Sequence, residues 1–497
     1  MRVALLFSDR LDTKVRIHEA CHSFKSLHDS PLQGCRESNS WKNGSMPFEH
    51  SRIKELLAIH SRHSWLPFTQ MKLATEPLLV EEADGIWLKL PGQRRVIDGI
   101  GSWWVNTYGH CNPIINRAIA DQAETLEHVI YANFVHEPGL RLAQALSERT
   151  SCHLTRVFYS DNGSTAMEIA LKMAYQFFKN RGEERDRIVC LENGYHGDTF
   201  GAMAAGARSI FHTVFEPLLF EVDHLRAPSC SQHGLEDETV GRKEMEEALQ
   251  SLDDYFERYA ERICCLVLEP LIQGAGGMNF YSPFYLKKAR ELCSRSGAIL
   301  IADEVFTGAG RTGPYFAFER AGVWPDIAAL AKGLSGGYLP FAATLASERI
   351  YEGFLSDDRL HTLYHGHSMT GSPLGCAAAL AAISLYESLC IGDRLKEVEA
   401  LHRRHLMALM KSSDLVAHPR CMGSVAAFDI VADIPYGVPL SMKISQAALE
   451  EGLFIRPLGA TIYLSPAYIA TDAELEEMYD ALSRLLKRLP QILRIST

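Results

Sequence analysis

Ala298-Ile299-Leu300-Ile301-Ala302-Asp303-Glu304 is five apolar residues followed at once by two acids. A run that short and that continuously apolar fits a strand buried on both faces. Two more runs share its form: Ile263 to Leu268, ending in Glu269-Pro270, and Ile327 to Ala331, ending in Lys332. Helical patterns lie between such runs, Tyr285 to Arg295 among them. Short apolar runs alternating with helices predict a parallel sheet covered on both faces, an α/β fold. In such sheets chemistry gathers at the carboxyl ends of the strands, where Glu269, Asp303 and Lys332 fall. Asp303 and Lys332 are one helical crossover apart, which puts them on the same rim.

Val157-Phe158-Tyr159 and Ile188 to Leu191 extend the pattern upstream as strands. Thr165 to Lys179 reads as a helix, with Thr165 and Glu168 spaced as a capping box. Asn112-Pro113 signals the start of a helix over Ile114 to Val129. After about residue 385 long amphipathic helices mix with strands (Ile455, Ile462 to Leu464), which predicts a second, smaller α+β domain. The expected layout is 113–385 for the large domain, with 61–112 and 386–497 forming the small one. Residues 1–60 are polar and weakly periodic. They read as a flexible arm, an additional interaction segment or a gene-model artefact, with Met46 as an alternative start.

At 497 residues, two or three domains are expected. The net charge of −11 gives no global drive toward nucleic acid or anionic lipid. No stretch reaches the ~18 apolar residues of a membrane span, and Cys376 to Tyr386 reads as a buried helix. Twelve cysteines without a C-x-x-C pair argue for reduced thiols in a reducing compartment, so a cytoplasmic location is expected.

Four elements carry candidate chemistry. Lys332, at a strand end in apolar company, loses hydration and so its pKa falls; a neutral amine is what Schiff-base chemistry needs. The plain alternative is a snorkelling lysine. Asp303 follows a buried strand and demands a partner, such as a protonated pyridine nitrogen, an arginine or a metal. Asp161-Asn162-Gly163-Ser164-Thr165 is a polar turn opening a helix, where backbone N–H groups favour phosphate; a routine helix cap would look the same. Asn193-Gly194-Tyr195-His196-Gly197-Asp198 offers an aromatic that could lie against a planar ring, or a turn with a packed Tyr.

Together these elements resemble the fold-type-I, pyridoxal-phosphate-dependent aminotransferases of the omega (class III) subgroup, over residues 61–490. The resemblance implies a large domain with a mostly parallel seven-stranded sheet. Ser102-Trp103-Trp104, Gly194 to Gly201, Gln273 to Met278 and Arg456-Pro457-Leu458-Gly459 narrow it to the branch that aminates 8-amino-7-oxononanoate in biotin synthesis. Its roles carry over residue by residue. Lys332 would hold pyridoxal 5'-phosphate as a Schiff base and shuttle the proton. Asp303 would pair with the ring nitrogen, Tyr195 would stack on the ring, and Gly163 and Ser164 would hold the phosphate. Trp103 would wall the substrate pocket, Tyr463 would line it, Arg311 would sit near the substrate and Arg456 would take its carboxylate. Gly366, His367 and Ser368 match a loop that reaches the neighbouring subunit's phosphate, which implies a homodimer with shared active sites. Pro-Thr is usual where His367-Ser368 stands, and Ser keeps the hydroxyl. The reaction implied is ping-pong transamination to 7,8-diaminononanoate.

Phe68, in Leu66-Pro67-Phe68-Thr69, stands where members using S-adenosylmethionine carry Tyr. Both S-adenosylmethionine and lysine therefore stand as donors. Another class III transaminase, acting on an omega-amino acid or diamine, is a second reading, and a pseudoenzyme scaffold on the same fold a third. Gly308-Ala309-Gly310-Arg311-Thr312-Gly313 matches a dinucleotide fingerprint, but Pro314 follows where a helix should continue, and Asp303-Glu304 would repel a pyrophosphate. His361, His365 and His367 lack nearby Cys or acid partners, so no metal is expected.

Overall fold

The computed structural model describes residues 50–209, 211–229, 242–432 and 439–494. Expectations for residues 1–49 lie outside them. The chain divides into two units, 1–79 and 80–497. The first carries the helix His50–His63, which buries none of its side chains. Phe68 follows in a left-handed backbone (φ 50°) and is half exposed.

The second unit opens with short strands β1 (Glu82–Asp84), β2 (Trp87–Lys89) and β3 (Arg95–Asp98), paired antiparallel. The large sheet follows, from β4 (Arg156–Ser160), β5 (Arg187–Leu191), β6 (Asp223–Leu225), β7 (Ile263–Leu268), and, beyond the small hairpin β8 (Ile272–Gln273) and β9 (Asn279–Phe280), β10 (Ile299–Asp303), β11 (Ile327–Leu330) and β12 (Ala342–Ala346). Its seven strands run in the order β4-β12-β11-β10-β7-β5-β6. All neighbours are parallel except those of β12, which is antiparallel to both β11 and β4. Every residue of β7, β10, β11 and β12 is buried. That is the burial pattern the continuous apolar runs demand, because helices cover both faces of the sheet.

The crossover from β7 to β10 shows how the chain sets each element. Ser282 accepts a hydrogen bond from the Phe284 N–H, Pro283 opens the helix Pro283–Ser296, and Gly297 (φ 75°) closes it in the left-handed conformation. Asp303 is in register with Ala329, and Ala302 with Leu268. The residues just beyond these strands, Glu269 and Lys332, therefore meet Asp303 on one rim.

The helix after β4 runs Gly163–Asn180, two residues earlier than expected, and its cap differs too. Asn162 accepts from the Thr165 N–H, and Thr165 Oγ1 accepts in return from the Asn162 N–H. Glu168 is instead drawn to Thr199 Oγ1 and to the N–H groups of Gly201 and Ala202. The helix from Pro113 ends at Thr125 rather than 129.

The smaller sheet is β13 (Val416–Met422), β14 (Val425–Ile430) and, past the short β15 (Leu453–Phe454), β16 (Thr461–Leu464), ordered β13-β14-β16. It shares a core with the helices Ile391–Ser412 and Asp472–Arg494. β15 pairs in parallel with β3, so the two ends of this unit are tied by backbone hydrogen bonds. The helix Pro373–Ser388 is largely buried, and among the described residues no single helix is long and apolar enough to cross a membrane.

Candidate active site

A cavity of about 550 Å³ opens at the carboxyl ends of β10 and β11, lined by Gly163, Ser164, Tyr195, Asp303 and Lys332 among others. Residues far apart in the chain converge there. Lys332 follows Ala331 in a left-handed backbone (φ 46°), a strained conformation for a residue with a Cβ. The strand stops at Leu330, one residue earlier than the apolar pattern predicts, because the chain turns there to aim the lysine into the cavity.

Burial lowers the pKa of the Lys332 amine, against the opposing pull of Asp303 and Glu269, while Arg311 adds to the lowering. Its Nζ lies 5.0 Å from the centroid of the Trp104 ring. Asp303 is 3% exposed; its carboxylate accepts from the Val305 N–H (3.0 Å) and pairs with His196 Nδ1 (2.7 Å). Burial disfavours a charged His196, but the Asp303 hydrogen bond and the charges of Asp303 and Glu269 raise its pKa overall. Glu269 accepts from the N–H groups of Tyr195 (3.0 Å) and Gly274 (2.9 Å), and burial pushes its carboxyl up to about 7. Tyr195 donates its hydroxyl to Asp198 (2.9 Å), and burial together with Asp198 raises its pKa.

The N-terminus of the helix Gly163–Asn180 borders the cavity, and two glycines let backbone approach closely there. A Cβ at Gly163 would lie 2.6 Å from Val305 Cγ1; one at Gly197 would lie 2.1 Å from Ser164 Oγ, where φ is also +127°. Only glycine fits either position. The result is a tight cradle of N–H groups at a helix start, suited to an anion.

The sequence model of the family Aminotransferase class-III matches residues 70–486. The chain belongs to this family. It is a pyridoxal-5'-phosphate-dependent transaminase, and the buried amine, the strand-end carboxylate and the glycine cradle fit that cofactor. The adenosylmethionine-8-amino-7-oxononanoate aminotransferase of Synechococcus elongatus is 46% identical over 85% of this chain and 98% of its own length. The protein of that name from Geobacter sulfurreducens is 40% identical over 85% and 95%. Among solved structures, the Methanocaldococcus jannaschii enzyme of the same name superposes with a TM-score of 0.81 at 35% identity, covering 88% of this chain and 99% of that one. An amine transaminase from an uncultivated Pseudomonas species, in its PLP-bound form, gives 0.79 at 30% identity, covering 90% and 100%.

Not every residue expected in the site of this aminotransferase reaches the cavity. Trp104, not Trp103, is on its wall. The Trp103 ring instead faces the Arg456 guanidinium, 4.5 Å from ring centroid to Cζ, with Arg456 exposed. Tyr463 is buried behind Trp104, ring centroids 6.0 Å apart. Arg311, expected near the substrate, is 1% exposed and stands behind the wall. It donates to the Trp104 carbonyl (2.8 Å) and, at longer range, to Ser424 Oγ and the Pro466 carbonyl. Gly366 and Ser368 are exposed; His367 Nε2 lies 3.7 Å from Asp161 Oδ1 of the same chain, too long for a hydrogen bond. Phe68 belongs to the first unit.

Trp104 and His196 line the cavity and carried no role in the sequence reading, and Glu269 was placed on the rim without one. Each had a signal beside a residue that was singled out. His196 follows Tyr195, Trp104 follows Trp103, and Glu269 ends a strand as Asp303 does.

Proposed function

We propose that this transaminase converts 8-amino-7-oxononanoate to 7,8-diaminononanoate in biotin synthesis, with S-adenosylmethionine as amino donor. The names of the relatives at 33–46% identity support this substrate pair. The observation that carries the chemistry is the convergence on Lys332: a half-buried amine of lowered pKa, beside Asp303, in a cavity with a glycine-lined helix start.

Pyridoxal phosphate, when bound, supplies an aldehyde that condenses with amines and a ring that accepts the electron pair left by a departing proton. Lys332 Nζ would hold the cofactor between turnovers and would move the proton at the donor's α-carbon and at the acceptor. The desolvation that lowers its pKa keeps a share of the amine uncharged for that work. Asp303, held by His196 and the Val305 N–H, would keep a proton on the ring nitrogen. Gly163 and Ser164 would bind the phosphate at the helix start. Tyr195, its backbone fixed by Glu269, would hold the ring. Arg456, stacked on Trp103, takes the carboxylate of the long keto acid, whose apolar chain runs along Trp104, with Tyr463 packed behind that ring. Arg311 acts from behind that wall. The loop carrying Gly366, His367 and Ser368 completes the phosphate site of a second subunit in a homodimer. The enzyme works in the cytoplasm, a reading consistent with the buried free thiols of Cys190, Cys264, Cys265, Cys293, Cys376 and Cys421.

Phe68 favours a second reading, lysine as donor, because the side chain offers no hydroxyl to a polar donor head. An omega-amino acid or diamine transaminase is less well supported, since it leaves the Trp103–Arg456 pair without a purpose. A scaffold without activity would have no reason to keep Lys332, Asp303 and Tyr195 around one cavity.

Borohydride reduction and peptide mapping should find the cofactor tethered to Lys332. The holoenzyme should form 7,8-diaminononanoate, read by mass spectrometry, from 8-amino-7-oxononanoate and one of the two donors. A tether elsewhere defeats the mechanism; no product with either donor defeats the substrate assignment.

A further inference from the structure

We propose that Asp98 and Ser102 are positioning residues that clamp a left-handed turn and thereby set the distance between the catalytic amine and the carboxylate anchor. Gly101, Ser102, Trp103 and Trp104 have φ of 55°, 47°, 67° and 73° in succession. Glycine adopts that region freely, but three consecutive residues with a Cβ do so only when their surroundings impose it.

The imposing group is Asp98, at the end of β3 and 2% exposed. Its Oδ2 accepts from Ser102 Oγ (2.7 Å) and pairs with His110 Nε2 (3.1 Å), while Oδ1 accepts from the Ile100 N–H (3.4 Å). A buried carboxylate with this many partners is a strong local fixture. The backbone closes the turn with Trp104 N–H to Ile100 O and Asn106 N–H to Gly101 O, both 2.9 Å. Gly101 has no room to be anything else, since a Cβ there would lie 2.8 Å from the Asn106 carbonyl and 3.0 Å from that of Ser465.

The turn faces three cations at once. Trp104 presents its ring to Lys332 Nζ (5.0 Å) and its carbonyl to Arg311 (2.8 Å); Trp103 presents its ring to Arg456 (4.5 Å). A shift of the turn therefore moves the amine's wall and the anchor's platform together. Neither Asp98 nor Ser102 lines the cavity, and no step of the reaction uses them. Their effect is to select substrates by the separation between reacting carbonyl and carboxylate. This selection rests on the keto-acid reading given above.

The test uses holoenzyme carrying Ser102→Ala, Ser102→Gly or Asp98→Asn, with 8-amino-7-oxononanoate and its methyl ester as probes. Loss of the hydroxyl should reduce the preference for acid over ester about tenfold in both Ser102 variants, through KM rather than kcat, and change the near-ultraviolet circular dichroism of the tryptophan pair. Asp98→Asn should shift the same dichroism signal in the same direction. Retention of the wild-type preference and dichroism in both Ser102 variants overturns the proposal. So does wild-type behaviour of Ser102→Gly alone, because the backbone and not the hydroxyl would then hold the turn. If wild-type enzyme uses neither acid nor ester, the substrate reading fails and the dichroism of the three variants alone decides the clamp.

Discussion

Gly163→Ala should loosen the cofactor by crowding the loop that carries Asp303. The added Cβ would lie 2.6 Å from Val305 Cγ1 and 3.1 Å from Cγ2. Carbon atoms rest at ~3.5–4.0 Å, so the overlap is about 1 Å. Val305 cannot turn away cheaply, because its χ1 is stiff and its N–H is tied to Asp303 Oδ1 at 3.0 Å. Either the helix start retreats or the loop after β10 moves, and each carries one part of the cofactor site. Overpacking of this kind costs about 1–3 kcal/mol. Replacing glycine at a helix start recovers at most ~1 kcal/mol of propensity. A net loss near ~1.4 kcal/mol corresponds to a tenfold weaker Kd for pyridoxal phosphate. Titration of the apoenzyme with the cofactor, followed by tryptophan fluorescence, reads that constant directly. Val305→Ala in the same chain removes the opposing methyls and should restore most of the affinity, a coupling of at least ~1 kcal/mol between the two sites. Wild-type affinity in Gly163→Ala refutes the steric argument, as does a double variant whose loss is the sum of the two single losses.

Glu269 titrates near 7 in the fold, above its ordinary 4.5. The folded protein therefore holds the extra proton, the stability is full below about pH 4.5, and it declines as pH rises toward 7 by up to about 3 kcal/mol. Glu269→Gln should flatten that decline; a difference between mutant and wild-type melting temperatures that is constant from pH 5 to 8 would show that the group does not titrate there. Arg456→Ala should weaken 8-amino-7-oxononanoate by about 1.5–3 kcal/mol while leaving the visible spectrum of the bound cofactor in place, and equal keto-acid affinity in mutant and wild type would remove its anchoring role. Phe68→Tyr should shift donor preference toward S-adenosylmethionine in half-reactions; unchanged rates with both donors would detach Phe68 from the donor site.

The strands and their terminal acids were legible because an apolar run of five or six residues between helical patterns has few other places to go. Ile263–Leu268 was read with both ends correct for that reason. The helix start at Gly163 was misread because Thr165-x-x-Glu168 and Asn162-x-x-Thr165 both satisfy a capping pattern, and only the tertiary demand of Thr199 and the Gly201 N–H for Glu168 separates them. Adjacency to Trp103 pointed to Trp104, but nothing local told which ring of the pair faces the cavity. Three successive residues with a Cβ at positive φ contradict intrinsic preference, and the buried Asp98 that enforces them is not recognisable as a clamp until β3 is seen beside the turn. Arg311 was placed in the neighbourhood of the site from its loop, but its direction is set by the carbonyls of Trp104 and Pro466, which lie 207 and 155 residues away.

The same reasoning explains why the rim carries two acids and a histidine where the chemistry asks for one acid. Two neighbouring carboxylates buried beneath a desolvated amine repel each other, and such a pair is stable only if their surroundings treat them differently. Here they do. Asp303 is given His196 as a partner at 2.7 Å, and the Asp303 hydrogen bond and charge help raise the imidazole's own pKa against its burial. Glu269 accepts hydrogen bonds from the backbone N–H groups of Tyr195 and Gly274; burial, opposed by the His196 charge and by those N–H groups, still pushes its carboxyl up to about 7. Asp303 is thereby held by the imidazole as the carboxylate proposed to face a ring nitrogen, while Glu269 serves as a backbone bracket for the Tyr195 turn. Replacing His196 by an isosteric neutral residue should therefore disturb Glu269 and Asp303 together, visible as a shift in the pH dependence of the cofactor's absorbance rather than as a simple loss of stability. A variant His196→Asn with the wild-type absorbance pH profile would mean that the two acids do not divide their charge in this way.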